Sequence, residues 1–281
     1  MRSTWLLFAA LTLLGTPALA APKSGENAKA GAKPRAGAKP TKKYVPRDVP
    51  WCTAEVESLA DDLCYIDGRG GKNGDRTSDG KRTLVVFLHG MIGTHTDWSW
   101  TQEKALLRQA KASGFEAIFP RAPERDGAYA WPGGVEGQKK HEAELVAGWK
   151  RAQKQLETRS GAHFDHVFVM GFSSGAYYVS SLALRGRLQV DGYATFAGGS
   201  IGHQPGPPAR KVPVYVGICG DDKQTAQHSR GFAGELATRG FVVRAEEHKV
   251  GHMFADPHVA HAVAFLRAQS ADKPAIPVLS D

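Results

Sequence analysis

Gly171-Phe172-Ser173-Ser174-Gly175 spells G-x-S-x-G, and its flanks give the five residues chemical meaning. An apolar run, His166–Met170 (HVFVM), leads directly into it, and a helix-like run, Gly175–Leu184 (GAYYVSSLAL), leads directly out. A strand–turn–helix of this kind holds a serine on a strained turn with its hydroxyl exposed, and the glycines are required where strand and helix approach too closely for side chains. A serine here could instead merely cap the helix that follows. The two uses separate on partners, because a hydroxyl is a poor nucleophile until a base takes its proton. Acyl transfer at Ser173 therefore needs a histidine and an acid elsewhere in the chain.

Both are present downstream, on loops that follow apolar runs. Val212–Cys219 is followed by Gly220-Asp221-Asp222, and Phe241–Glu247 by Val250-Gly251-His252-Met253-Phe254. The order serine, acid, histidine singles out His252 as general base and then acid, oriented by Asp222 or Asp221, with Asp222 preferred by its place in the loop. His163 and His166 precede the serine and break that order. His248 lies inside a strand, and His203 sits on a loop after another strand. The oxyanion of a tetrahedral intermediate also needs N–H donors. One is the backbone N–H of Ser174. The other is that of Met91, in the loop His89-Gly90-Met91-Ile92-Gly93 after Leu84–Leu88 (LVVFL), where His89 is expected to brace the loop. Trp98, Trp131 and Tyr177 are candidates to line a substrate pocket, with Met91, Trp100 and Phe254 as further apolar neighbours. No large insertion follows Ser173 between strands, so an open site without a large lid is expected.

These residues must be positioned by alternating elements. Strands are expected at 84–88, 115–119, 166–170, 192–196, 212–219 and 241–247, and helices at 101–112, 137–159, 175–184, 226–238 and 257–268. Continuous apolar strands alternating with amphipathic helices predict a mostly parallel sheet covered on both faces, with ligands beyond the carboxyl ends of the strands. The set LVVFLHGMIG, GFSSG, GDD and GH, in this order over roughly residues 80–270, resembles the α/β-hydrolase superfamily. Within it, the chain is similar to small esterases of the phospholipase/carboxylesterase and polyhydroxybutyrate-depolymerase-like groups. That resemblance implies an α/β-hydrolase fold and hydrolysis of a small-molecule or polymeric carboxylic ester, with no cofactor and no metal. Peptide or amide cleavage on the same residues, or a non-catalytic binding protein retaining the fold, are the alternatives. The acid loop departs from the pattern, since such enzymes often carry the acid three residues after the glycine, where this chain has Lys223. Residues 51–80 resemble nothing recognisable.

The N-terminal segments read differently. Arg2, the apolar run Trp5–Leu14 and Ala18-Leu19-Ala20 have the form of a signal peptide over residues 1–20. The apolar run is too short to span a bilayer comfortably, so no stable membrane insertion is expected. Residues 21–46 repeat Ala, Lys, Gly and Pro and are expected to form a disordered linker, leaving 47–281 as the α/β-hydrolase domain. Of the formal charge of +8, residues 21–50 carry eight Lys or Arg against Glu26 and Asp48, so the folded part is nearly neutral. That distribution argues against a nucleic-acid footprint on the domain. Secretion or a periplasmic location follows from the leader, and an oxidising compartment would pair Cys52 with Cys64. Cys219 is left as a buried small residue. The eleven histidines show no pair at metal spacing on a recognisable helix with a supporting carboxylate.

Overall fold

The structure is a computed structural model, and it describes residues 50–60, 62–69, 80–186, 188–200, 210–253 and 255–271. The expected leader and linker, His203 and Phe254 lie outside the described residues. The elements run β1 (Glu57–Ala60), β2 (Leu63–Asp67), β3 (Thr83–Leu88), β4 (Ile92–Gly93), α1 (Trp98–Ser113), β5 (Glu116–Pro120), β6 (Glu124–Arg125), β7 (Ala128–Tyr129) and α2 (Val135–Ser160). They continue with β8 (His166–Phe172), α3 (Ser174–Arg185), β9 (Gly192–Phe196), β10 (Val214–Cys219), α4 (Ala226–Thr238), β11 (Val243–His248) and α5 (Asp256–Ser270).

Eight strands form one sheet in the order β1-β2-β5-β3-β8-β9-β10-β11. From β5 to β11 all neighbours are parallel, and β2 runs antiparallel to both β1 and β5. The central strands β3, β8, β9 and β10 are buried along their whole length, as their unbroken apolar sequences require. Period-two alternation divides their side chains between two cores. Leu84, Val86, Leu88, Val167, Val169, Val214 and Val216 face one core, which α2, α3 and α4 cover through Trp149, Leu156, Tyr178, Leu182, Phe232 and Leu236. Val85, Phe87, Phe168, Met170 and Tyr215 face the other, covered by Leu106 and Ala110 of α1 and by Val259, Val263 and Leu266 of α5. This is the expected mostly parallel sheet with helices on both faces.

Two features were not anticipated. Residues 51–67 supply the antiparallel edge: Trp51 stacks on Phe119 and its indole N–H donates to the Phe119 carbonyl at 3.1 Å. Within this edge the expected disulfide joins Cys52 to Cys64, with Cα atoms 5.5 Å apart. A small sheet, β4-β7-β6, forms above the carboxyl ends of β3 and β5 from two-residue strands too short to read as a pattern. Elsewhere the differences are at element ends. Helix α1 begins at Trp98 rather than Thr101, and β10 begins after Pro213, which has no N–H for the ladder.

Candidate active site

Residues Gly171 and Gly175 show why the turn after β8 is built as it is. A Cβ on Gly171 would lie 2.5 Å from the Gly175 carbonyl, and one on Gly175 would lie 2.1 Å from the Leu88 carbonyl. No other residue fits either place. Between them Ser173 adopts φ 50° and ψ −114°, a positive-φ conformation that a non-glycine residue occupies only when its surroundings impose it. The surroundings do so through backbone bonds: Ser173 N–H donates to Phe196 O at 2.9 Å, and Gly175 N–H to His89 O at 3.1 Å. The Ser173 side chain makes no cap bond to α3, so its hydroxyl is free for another partner.

That partner is His252. Its Nε2 lies 2.9 Å from Ser173 Oγ, and its Nδ1 lies 2.6 Å from Asp222 Oδ2. The imidazole rests at a tilt on Phe172, ring centroids 5.1 Å apart, and is 43% exposed at its side chain. The three residues come from the carboxyl ends of β8, β10 and β11, which the parallel sheet brings to one side of the molecule with β9 between β8 and β10. Two bonds tie the acid and histidine loops together, Gly220 N–H to His248 O at 2.7 Å and Asp221 N–H to Val250 O at 3.1 Å.

Of the two adjacent aspartates, only Asp222 points inward. It is 9% exposed, whereas Asp221 faces solvent. Asp222 Oδ1 accepts the N–H groups of Gln224 and Thr225 at 3.1 and 3.3 Å, and Oδ2 accepts the Thr225 hydroxyl as well as His252. Burial pushes this carboxyl up, but the hydrogen bonds from Thr225, His252 and the two backbone N–H groups outweigh it and bring its pKa down to about 2. Asp222 is therefore an anion throughout the neutral range. Lys223, where the resembling enzymes often place their acid, is exposed.

The loop after β3 is locked from three sides. Gly90 N–H donates to Gln102 Oε1 at 2.8 Å. His89 Nε2 accepts the Ala122 N–H at 3.0 Å, which leaves the proton on Nδ1 to donate to the Gly90 carbonyl. Burial of His89 lowers its pKa to about 4, outweighing the Gly90 hydrogen bond, so the ring stays neutral and keeps this tautomer. The His89 carbonyl accepts the Trp131 indole N–H at 2.9 Å. With no side chain, Gly90 approaches the serine: a Cβ there would stand 3.4 Å from Ser173 Cβ. Gln102, Ala122 and Trp131 thus fix the backbone that precedes Met91 N–H. Ser174 opens α3, where the N–H groups lack intrahelical acceptors.

The pocket candidates divide. Trp131, expected to line a substrate pocket, is instead buried in the core. It is 3% exposed, stacks on Tyr178 at 6.0 Å, packs at a tilt against His89 at 5.2 Å, and donates its own backbone N–H to Ser174 Oγ at 3.1 Å. Large aromatic residues more often fill cores than pockets. Tyr177 lies beside Gly198 and the Ser173 main chain, with its hydroxyl 2.8 Å from His228 Nδ1. Trp98 and Met91 are exposed at 65% and 63%, and Met253, next to His252, at 50%. Cys219 is buried with its thiol raised by burial, and it makes a 3.5 Å contact to the Met253 carbonyl.

The family model of the dienelactone hydrolases matches residues 75–275. The chain belongs to the dienelactone hydrolase family. This places it in the α/β-hydrolase superfamily, as the motifs implied, with a more specific family than the expected esterase groups. Among solved structures, a carboxylesterase from Mesorhizobium loti shares 23% identity at a TM-score of 0.51, over 73% of this chain and 93% of that one. YahD, solved with malic acid, matches at 16% identity and a TM-score of 0.50, over 74% and 98% of the two chains. SOBER1 from Arabidopsis thaliana matches at 18% and 0.50, over 67% and 99%. These likenesses establish a shared fold. No curated protein sequence matches the chain. Membership of a hydrolase family makes this dienelactone hydrolase relative a hydrolase. Among the described residues no helix is long and apolar enough to cross a membrane.

Proposed function

We propose that this member of the dienelactone hydrolase family is an exported serine hydrolase that cleaves carboxylic esters through an acyl-enzyme on Ser173. The observation that carries the reading is the unbroken chain from Ser173 Oγ through His252 to the Asp222 carboxylate. Ser173 Oγ attacks the ester carbonyl while its proton passes to His252 Nε2. Asp222 stabilises the resulting imidazolium through Nδ1–H without taking the proton. The N–H groups of Met91 and Ser174 receive the oxyanion. Collapse breaks the bond to the alkoxy oxygen, which leaves as the alcohol with the proton from His252. Water then attacks the acyl carbonyl by the same route and releases the acid and Ser173.

Exposed Met91, Trp98 and Met253, with Tyr177, suit a wide, partly apolar entrance for a small-molecule or polymeric ester. Export through a signal peptide over 1–20, with residues 21–46 as a linker and 47–281 as the catalytic domain, is supported by the Cys52–Cys64 disulfide, which an oxidising compartment favours.

A fluorophosphonate probe tests the nucleophile: the wild type is expected to label and Ser173→Ala is not. Absence of labelling on the wild type would sink the serine-hydrolase reading. A chain-length series of p-nitrophenyl esters run beside peptide amides tests the substrate class, and faster turnover of the amides would replace esterase with amidase. Mass spectrometry of protein recovered outside the cytoplasm should find an N-terminus at Ala21.

A further inference from the structure

Behind the histidine loop, strand and helix bring together a second cluster that the proposed catalysis does not use. Glu246 and His248 lie two residues apart on β11, and so project from the same side of the strand. His258 and His261 lie three apart on α5, one helical face. Glu246 Oε2 lies 2.6 Å from His261 Nδ1 and 3.9 Å from His248 Nε2. One donor atom from each of Glu246, His248 and His261 falls within 4.8 Å of the others.

We propose that Glu246, His248 and His261 form a binding site for a divalent transition metal of the zinc type. Three features support this beyond proximity. His248 Nε2 is buried without a hydrogen-bond partner among the described residues, and so are both ring nitrogens of His258, a residue 0% exposed whose ring centroid is 4.5 Å from that of His248. Buried nitrogens left unpaired cost free energy, and native proteins seldom keep them without a reason. The carboxylate is oriented as metal-ligating carboxylates are, by outer hydrogen bonds: Tyr215 Oη donates to Oε2 at 2.8 Å and Arg244 Nε to Oε1 at 2.6 Å. Finally, two imidazoles and a carboxylate are the donor set that zinc accepts, with a fourth position left for water.

Binding would need a small outward shift of His261, whose side chain is 47% exposed, and a closing of His248 Nε2 on Glu246 from its present 3.9 Å. Tetrahedral ligands at bond lengths of about 2.0–2.1 Å stand about 3.3 Å apart, somewhat wider than the present hydrogen bond. The ion would replace the proton on His261 Nδ1, which moves to Nε2 of the same ring. The site closes β11 onto α5 at the root of the loop that carries His252, so its occupancy would stabilise the fold without entering the reaction. The sequence hides it because no single element carries the whole set.

Titration calorimetry of the full-length, untagged, EDTA-stripped protein with zinc chloride tests the proposal, with thermal melting alongside. One equivalent per chain and a rise in Tm are expected. His261→Asn, at a half-exposed position that leaves the fold intact, should weaken binding at least about tenfold, and Tyr215→Phe, which removes only the outer hydrogen bond, about 10- to 100-fold. His163→Asn, on a distant surface loop, should change nothing. Zinc affinity unchanged in His261→Asn, or no stoichiometric binding by the wild type, would overturn the site.

Discussion

Gln102 Oε1 accepts the Gly90 N–H at 2.8 Å, a buried bond from helix α1 into the loop that carries Met91. The bond occupies the Gly90 N–H, so that it does not compete with the Met91 N–H, the donor proposed for the oxyanion. It also fixes the peptide plane before Met91. Replacing Gln102 by Leu keeps the volume but leaves the Gly90 N–H without its acceptor. We expect kcat for a short-chain p-nitrophenyl ester to fall about 10- to 100-fold through misplacement of the donor, with KM nearly unchanged. A loss of about 1–3 kcal/mol in stability should accompany it, read by denaturant melting. A rise in KM at constant kcat would show that the loop positions substrate rather than the developing charge.

The two aspartates should separate cleanly in kinetics. Asp222 accepts His252 Nδ1 together with three donors from Gln224 and Thr225, while Asp221 contributes a backbone bond and turns its side chain to water. Asp222→Asn presents an amide to Nδ1 and selects the wrong imidazole tautomer, so kcat should drop by about 10⁴. Asp221→Asn should stay within about twofold of the wild type, as exposed substitutions do. Comparable losses in both variants would remove Asp222 from its assigned role.

Much of this site is legible in the sequence, for a physical reason. Strands buried on both faces, such as LVVFL and HVFVM, must be continuously apolar, and the serine turn admits only glycine at Gly171 and Gly175. The bracing is a different matter. Gln102 and Ala122 reach the loop that carries Met91 through tertiary contacts 12 and 33 residues away in sequence, and neither residue type signals such a role. Trp131 looks like a pocket wall because aromatics serve both in pockets and cores, and only its burial and its bond to His89 O decide between them. Strand β2, Leu-Cys-Tyr-Ile-Asp, is apolar enough to be seen but too short to place without its antiparallel partner β5.

The Cys52–Cys64 bridge ties the segment before β1 to β2, and the reduced protein should lose the entropy advantage of the closed loop. Twelve residues of separation correspond to about 3 kcal/mol in the chain-entropy account. The Cys52→Ser, Cys64→Ser double variant should therefore melt earlier by that amount while keeping its kcat. Thiol titration should find Cys219 unreactive in the native wild type and reactive only in denaturant. An equal Tm for variant and wild type would mean that the hydrogen bonds of Trp51 and Thr53, to Phe119 O and Glu103, hold the segment unaided.

Acid should weaken the fold well before the Asp222 carboxylate protonates, because two buried histidines resist charge. Burial holds His89 and His258 at about 4, with the neighbouring His248 adding to the effect at His258, against an ordinary value of 6.5. A basic group lowered in the folded state takes its proton more readily when unfolded. The associated stability is fully present above about pH 6.5 and is lost as pH falls towards 4, at up to about 1.4 kcal/mol per pH unit for each ring. The Asp222 carboxylate acts only further down, between its unfolded value of 3.8 and about 2. Unfolding free energies measured by urea melts from pH 7.5 to 4.5 should show this slope. In His89→Gln, whose amide can still accept from Ala122 and donate to Gly90, the slope should be about half as steep. A wild-type profile that stays flat down to pH 4.5 would mean that these rings are already solvated and protonated in the native state.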